Sequence, residues 1–103
     1  MKPKYETHDN QLFMMLEKPE RIDERLVIGY PVVDGSAEWA LYQMMQGESI
    51  SIIGQPNRAI NLQGDKLHDS EKGAYWNGKS PLDFLSYARK TGWQLYRPEP
   101  ELH

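Results

Sequence analysis

Leu26-Val27-Ile28-Gly29-Tyr30-Pro31-Val32-Val33, then Asp34-Gly35-Ser36, then Ala37-Glu38-Trp39-Ala40-Leu41-Tyr42-Gln43-Met44-Met45-Gln46-Gly47 follow one another without a break. The first segment is β-branched, aromatic and almost continuously apolar, which suits a strand covered on both faces. Pro31 removes one ladder donor, so the pairing should weaken or bulge there. Asp34-Gly35 turns the chain and Ser36 can cap a helix N-terminus. Ala37, Ala40, Leu41, Met44 and Met45 then recur at the spacing of one helical face. Gly47 supplies a residue that can adopt the left-handed conformation past the last turn.

Beyond this strand–helix pair the pattern continues in alternation. Ser49–Gly54 reads as a strand with one buried face, Gln55-Pro56-Asn57 as a turn, and Arg58–Gln63 as a second strand whose Ile60 and Leu62 can meet Ile50 and Ile52 across a hairpin. Ser80-Pro81 opens a second helix: Ser80 caps, Pro81 fits the first helical position and Asp83 completes a capping box. Pro81, Phe84, Leu85 and Ala88 form its inner stripe. Arg89 and Lys90 complement the C-terminal dipole, Gly92 stops the helix, and Trp93-Gln94-Leu95-Tyr96 is a last strand. Residues 25–97 therefore read strand, helix, strand, strand, helix, strand, the ferredoxin-like order of a compact two-layer α+β domain with both helices on one face of an antiparallel sheet. Gln11–Glu17 is expected to add an N-terminal strand. Residues 1–10 and 98–103 are polar or proline-rich and read as flexible ends of a single domain.

The 64–79 segment breaks the pattern. Sixteen residues without periodicity are long for a connection in a compact domain, so the segment should be functional or hide a short helix.

Composition narrows the function classes. The 103-residue chain carries a net charge of −3 and its twelve Lys and Arg are scattered, which argues against nucleic acid. Zero cysteines exclude a disulfide framework, a thiolate metal centre and a cysteine nucleophile. The N-terminus lacks the apolar core of a signal peptide, and no uncharged run approaches the roughly 20 residues of a membrane helix, so a cytoplasmic protein without a membrane anchor is the expectation. An RNA-binding sheet would need aromatics on its exposed face. The outer positions of the 58–63 strand are Ala59, Asn61 and Gln63.

No motif calls for a cofactor or a metal. His8, His68 and His103 show no ligand spacing. His68 beside Asp69 in the long segment is the one pair that could line a ligand pocket there, which would make the chain a small-ligand-binding or enzymatic domain. Ser36 and Ser80 are explained as caps, and no nucleophile has a partner.

The aromatics point elsewhere. At about 100° per residue, Trp39, Tyr42 and Gln46 fall opposite the inner stripe of the first helix. Either the N-terminal run with Phe13 and Met14 folds over that face, or it is a partner or homodimer surface, for which Trp, Tyr and Met are favoured anchors. Tyr75 and Trp76 pose the same question in the long segment: a plug for the core, or an anchor. The sequence thus favours a non-catalytic, regulatory or protein-interaction module with contact residues Trp39, Tyr42, Gln46, Tyr75 and Trp76.

Overall fold

A computed structural model describes residues 3–21 and 24–97, with the side chains of 17–28 left aside. The elements run β1 (Lys4–His8), β2 (Gln11–Arg21), β3 (Glu24–Pro31), α1 (Ala37–Met45), β4 (Ile50–Ile52), β5 (Gln55–Gln63), β6 (Lys66–Asp69), α2 (Pro81–Tyr87) and β7 (Trp93–Leu95). The class is α+β. Two antiparallel sheets form, a three-stranded one in the order β1-β2-β3 and a four-stranded one in the order β6-β5-β4-β7.

The strand pairing departs from the ferredoxin-like order. β3, expected inside the main sheet, pairs with β2 instead, and β6 takes the edge of the four-stranded sheet. One local feature contributes to the change. Asp9 and Asn10 both hold positive φ, 51° and 65°, and close β1 onto β2 as a two-residue hairpin. That turn is the one whose twist matches the flanking strands, and Asp and Asn tolerate it. Lys4–His8 is therefore a strand rather than a frayed end, and β3 finds its partner locally in β2. β3 is also an edge strand; the side chains of Leu26, Val27 and Ile28, on which the expectation of cover on both faces rests, lie outside the described residues, as do residues 98–103, while Pro31 and Val33 at the end of the run are exposed.

Pro31 does not bulge the ladder. Val32 N–H donates to the Leu12 carbonyl at 2.8 Å, so the ring nitrogen of Pro31, one residue earlier, faces the open edge where no donor is needed. The irregular register sits instead between Pro19 and Arg21.

α1 begins as expected, with Trp39 N–H donating to Ser36 Oγ. It ends in a two-bond C-terminal motif: Gly47 N–H reaches the Met44 carbonyl and Glu48 N–H the Gln43 carbonyl. Gly47 carries the φ of 93° that this closure demands. The Ser80–Asp83 capping box of α2 is also present. α2 stops at Tyr87, three residues earlier than the sequence suggests, because Ala88 is extended at ψ 151°. Arg89 and Lys90 thus lie beyond the helix. Arg89 turns back to donate to the Thr91 carbonyl, and its guanidinium lies where a Cβ on Gly92 would come within 3.0 Å.

Both helices share one core with the four-stranded sheet. Ala37, Ala40, Leu41 and Met44 of α1 meet Ile50, Ile60 and Leu67, and Phe84 stands at the centre between Trp76 and Trp93, with ring centroids 5.2 and 5.0 Å away. Trp93 Nε1 donates to the Arg89 carbonyl, so burying its indole leaves no donor unpaired. No described helix is long and apolar enough to cross a membrane.

Phe84→Ala should cost about 3–5 kcal/mol by removing the middle ring of this stack. Urea unfolding is expected to show stability fall by that amount, through a lower midpoint with little change in slope.

Candidate functional site

The 64–79 segment is a strand, a tight loop and a core anchor, with no hidden helix. Gly64-Asp65 reverses the chain, and β6 returns along β5 with Asn61 opposite His68 and Leu62 opposite Leu67. Alternation then separates the two residues expected to share a pocket. Leu67 and Asp69 face inward and are 2% exposed, whereas Lys66 and His68 face solvent on the other side of the sheet. His68 and Asp69 therefore cannot converge on one ligand.

Asp69 instead braces the fold. Arg58 Nε lies 3.1 Å from each carboxylate oxygen and its Nη2 lies 2.6 Å from Oδ2, while Glu71 N–H donates to Oδ1 at 2.9 Å. Glu71 Oε2 stands 3.3 Å from Arg58 Nε, and Nη1 donates to Gln55. The hydrogen bond to Asp69, ahead of any other influence, raises the Arg58 pKa further above its ordinary value. The main chain of Asp69 donates to Asn77 Oδ1, and the 78–79 stretch pairs with Leu67, where Leu67 N–H reaches the Lys79 carbonyl at 2.7 Å. An open depression of about 470 Å³ lies over this cluster, lined by Gly54–Arg58, Ser70 and Glu71. The cation in that lining already faces two carboxylates, so the depression offers no free charge to an anion.

The five aromatic and polar contact candidates separate in the same way. Trp76 is 8% exposed and belongs to the core, so it is no surface anchor. Trp39 is half-buried against the same core. Tyr42 is covered in part by Tyr5 of β1, whose ring meets it edge-on at 5.0 Å and whose hydroxyl donates to the Glu38 carbonyl at 2.8 Å. Burial, with the Glu38 charge second, pushes the Tyr5 phenol well up from its ordinary value. The N-terminal strands thus cover the outer face of α1 in part, through Tyr5; of the two residues of the N-terminal run named for that cover, Met14 stands opposite Tyr5 on the same side of the sheet and is buried, whereas Phe13 lies beside His8 on the other side. Gln46 is exposed at the C-cap. Tyr75 is 55% exposed.

Tyr75 heads a surface that the sequence does not single out as a whole. Lys79 Nζ stands 4.7 Å from its ring centroid. The Lys79 charge also acts on Asp83, whose carboxyl is held below the usual aspartate range first by the Ser80 N–H and then by the Ser80 hydroxyl; desolvation opposes this, and Lys79 and Lys66 assist it. Tyr87 follows Asp83 at i+4 on the same side of α2 and is 69% exposed, whereas Leu82, 41% exposed, lies about 140° around the helix from Tyr87, on its other flank. A signal for this row exists in the sequence. The inner stripe of Pro81, Phe84, Leu85 and Ala88 leaves Leu82, Ser86 and Tyr87 outside, by the same geometry that singles out Trp39 and Tyr42.

Among the described residues no group of three His, Asp or Glu side chains comes together as a metal cage. The outward positions of β5 are Ala59, Asn61 and Gln63, without an aromatic. No protein-family model, curated protein or solved structure matches the chain.

Two measurements check this geometry. Asp69→Ala should cost about 1–3 kcal/mol, since Arg58 and the Glu71 N–H lose their shared acceptor while Arg58 keeps Glu71 beside it. Carbon-detected NMR should find the Asp83 carboxyl titrating below about 3.9, the ordinary aspartate value. A folded pKa below the unfolded one stabilises the protein above about pH 3.9, and the contribution disappears as pH falls through the folded pKa. In Ser80→Ala the titration should move back toward the ordinary value.

Proposed function

We propose that the chain is a non-catalytic interaction module that acts by associating with a protein surface. The observation that carries this reading is the exposed aromatic surface of Tyr75, Lys79 and Tyr87, with Leu82 on the other flank of α2: two tyrosine rings and a leucine on solvent, in a chain that covers part of the corresponding face of α1. Exposed tyrosines placed beside a charge are favoured interface anchors, because they bury large area at small entropic cost. The polar clusters, by contrast, are occupied in bracing the loop. A cysteine-free chain also suits the reducing cytoplasm.

The competing ligand-binding reading has the open depression beside Arg58 and nothing else in its favour, because His68 and Asp69 lie on opposite faces of the sheet.

The test is a triple substitution, Tyr75→Ser, Leu82→Ser and Tyr87→Ser, with circular dichroism as the folding control. Immobilised wild-type chain should retain a protein, its own kind or another, that the folded triple variant does not. Equal retention by both chains, or by neither, would sink the reading. Asn57→Ser, which alters the lining of the depression and leaves the Asp69 brace and the tyrosine row intact, should retain that protein as the wild type does.

A further inference from the structure

The order of chemistry along the exposed row suggests what sits on it. Tyr75, Lys79, Asp83 and Tyr87 follow one another as ring, cation, anion, ring. Lys79 touches the Tyr75 ring, its charge acts on Asp83, and Asp83 and Tyr87 are one helical turn apart in α2. A two-fold axis passing between Lys79 and Asp83 would set Tyr75 against Tyr87 of a second molecule, and Lys79 against the second molecule's Asp83. The other half of the contact repeats the same pairs.

We infer that this surface binds a second copy of the chain, forming a two-fold dimer through α2 and the Tyr75–Lys79 turn. The inference rests on the interaction reading above and names its partner. An isologous contact requires a patch complementary to itself. Most single-sign patches fail that requirement, because like charges meet across the axis; here each lysine meets a carboxylate. The overall charge of −3 opposes self-association at long range, so the neutral, paired character of this patch is what makes it the favourable place for two copies to meet.

The experiment is light scattering on the purified full chain across a concentration series, with circular dichroism on every variant. Wild type should shift from monomer to dimer as concentration rises. Lys79→Glu sets a carboxylate against Asp83 at both halves of the contact, and Asp83→Lys sets an ammonium against Lys79 at both. Each variant alone should dimerise roughly tenfold or more weakly than wild type. Mixed in equal amounts, the two variants bring opposite charges together again and should form a heterodimer, an outcome that a purely structural role for either residue does not produce.

Asp83→Lys also removes half of the capping box. If it fails to fold, Tyr87→Ser, at an exposed position outside the cap, carries the test and should weaken the dimer alongside Lys79→Glu. A monomer at every concentration overturns the proposal. If that monomer still captures a foreign protein through the tyrosine row, the interaction reading stands and only the identity of the partner falls. A wild-type dimer indifferent to Lys79→Glu and Tyr87→Ser also overturns it, and would direct attention to another surface, such as the outer edge of β3.

Discussion

The bidentate contact between Arg58 and Asp69 decides where the second half of the chain can go. Asp69 occupies an inward position of β6, and its side chain is fully shielded while Arg58 remains about a fifth exposed. A buried carboxylate is tolerated only when its oxygens are filled, and here Arg58 and the Glu71 N–H fill them. The requirement fixes more than two side chains. With Asp69 held, its own N–H faces Asn77, and the 70–79 loop folds back along the outer side of β6. That covers part of a sheet edge that would otherwise present unpaired donors and acceptors.

From that loop follows the core. Trp76 enters beside Phe84 only because the loop returns where it does, and Phe84 in turn fixes Trp93. The three rings tie the loop, α2 and the last strand of the sheet together. The Trp93 indole N–H donates to the Arg89 carbonyl just after α2, and the Ala37 N–H at the start of α1 donates to the Lys90 carbonyl. One short segment after α2 thus holds both helices against the sheet. Tyr75 is exposed for the same reason that Trp76 is buried: adjacent residues on a tight turn cannot both face the core.

Legibility in the sequence follows the strength of the local signal. Both helices, their caps and their inner stripes can be read directly, since apolar spacing and capping chemistry agree at Ser36, Gly47, Ser80 and Pro81. β6 cannot. Lys66-Leu67-His68-Asp69 has one apolar residue, and its second inward position holds a carboxylate whose partner lies eleven residues earlier. The β1–β2 hairpin is equally hard to read, because Asp9-Asn10 lacks the glycine that usually announces such a turn, although both residues tolerate positive φ. With β6 unread and the N-terminal strand read as a lone addition rather than as half of a hairpin, β3 is assigned to the main sheet, and the order then looks ferredoxin-like. At the surface, Tyr75 stands out as an aromatic in an aperiodic segment, whereas Tyr87 and Leu82 are hidden by the regularity of the helix that carries them.

The contrast between the two helices carries the functional argument. Each has an inner stripe on the same core and aromatic residues on the side away from it. On α1 that side is answered from within the chain, by the Tyr5 ring against Tyr42 and the Tyr5 hydroxyl on the Glu38 carbonyl. The phenol gives up water there and gains one acceptor, an exchange close to neutral on its own. The gain must therefore come from the apolar area that Tyr5 and the buried Met14 remove from water at the base of the three-stranded sheet. On α2, Leu82 and Tyr87 have exposed area of the same kind and remain in solvent. The same area term is therefore still available at α2, and a molecule that covers Tyr87 would recover there what Tyr5 recovers at α1.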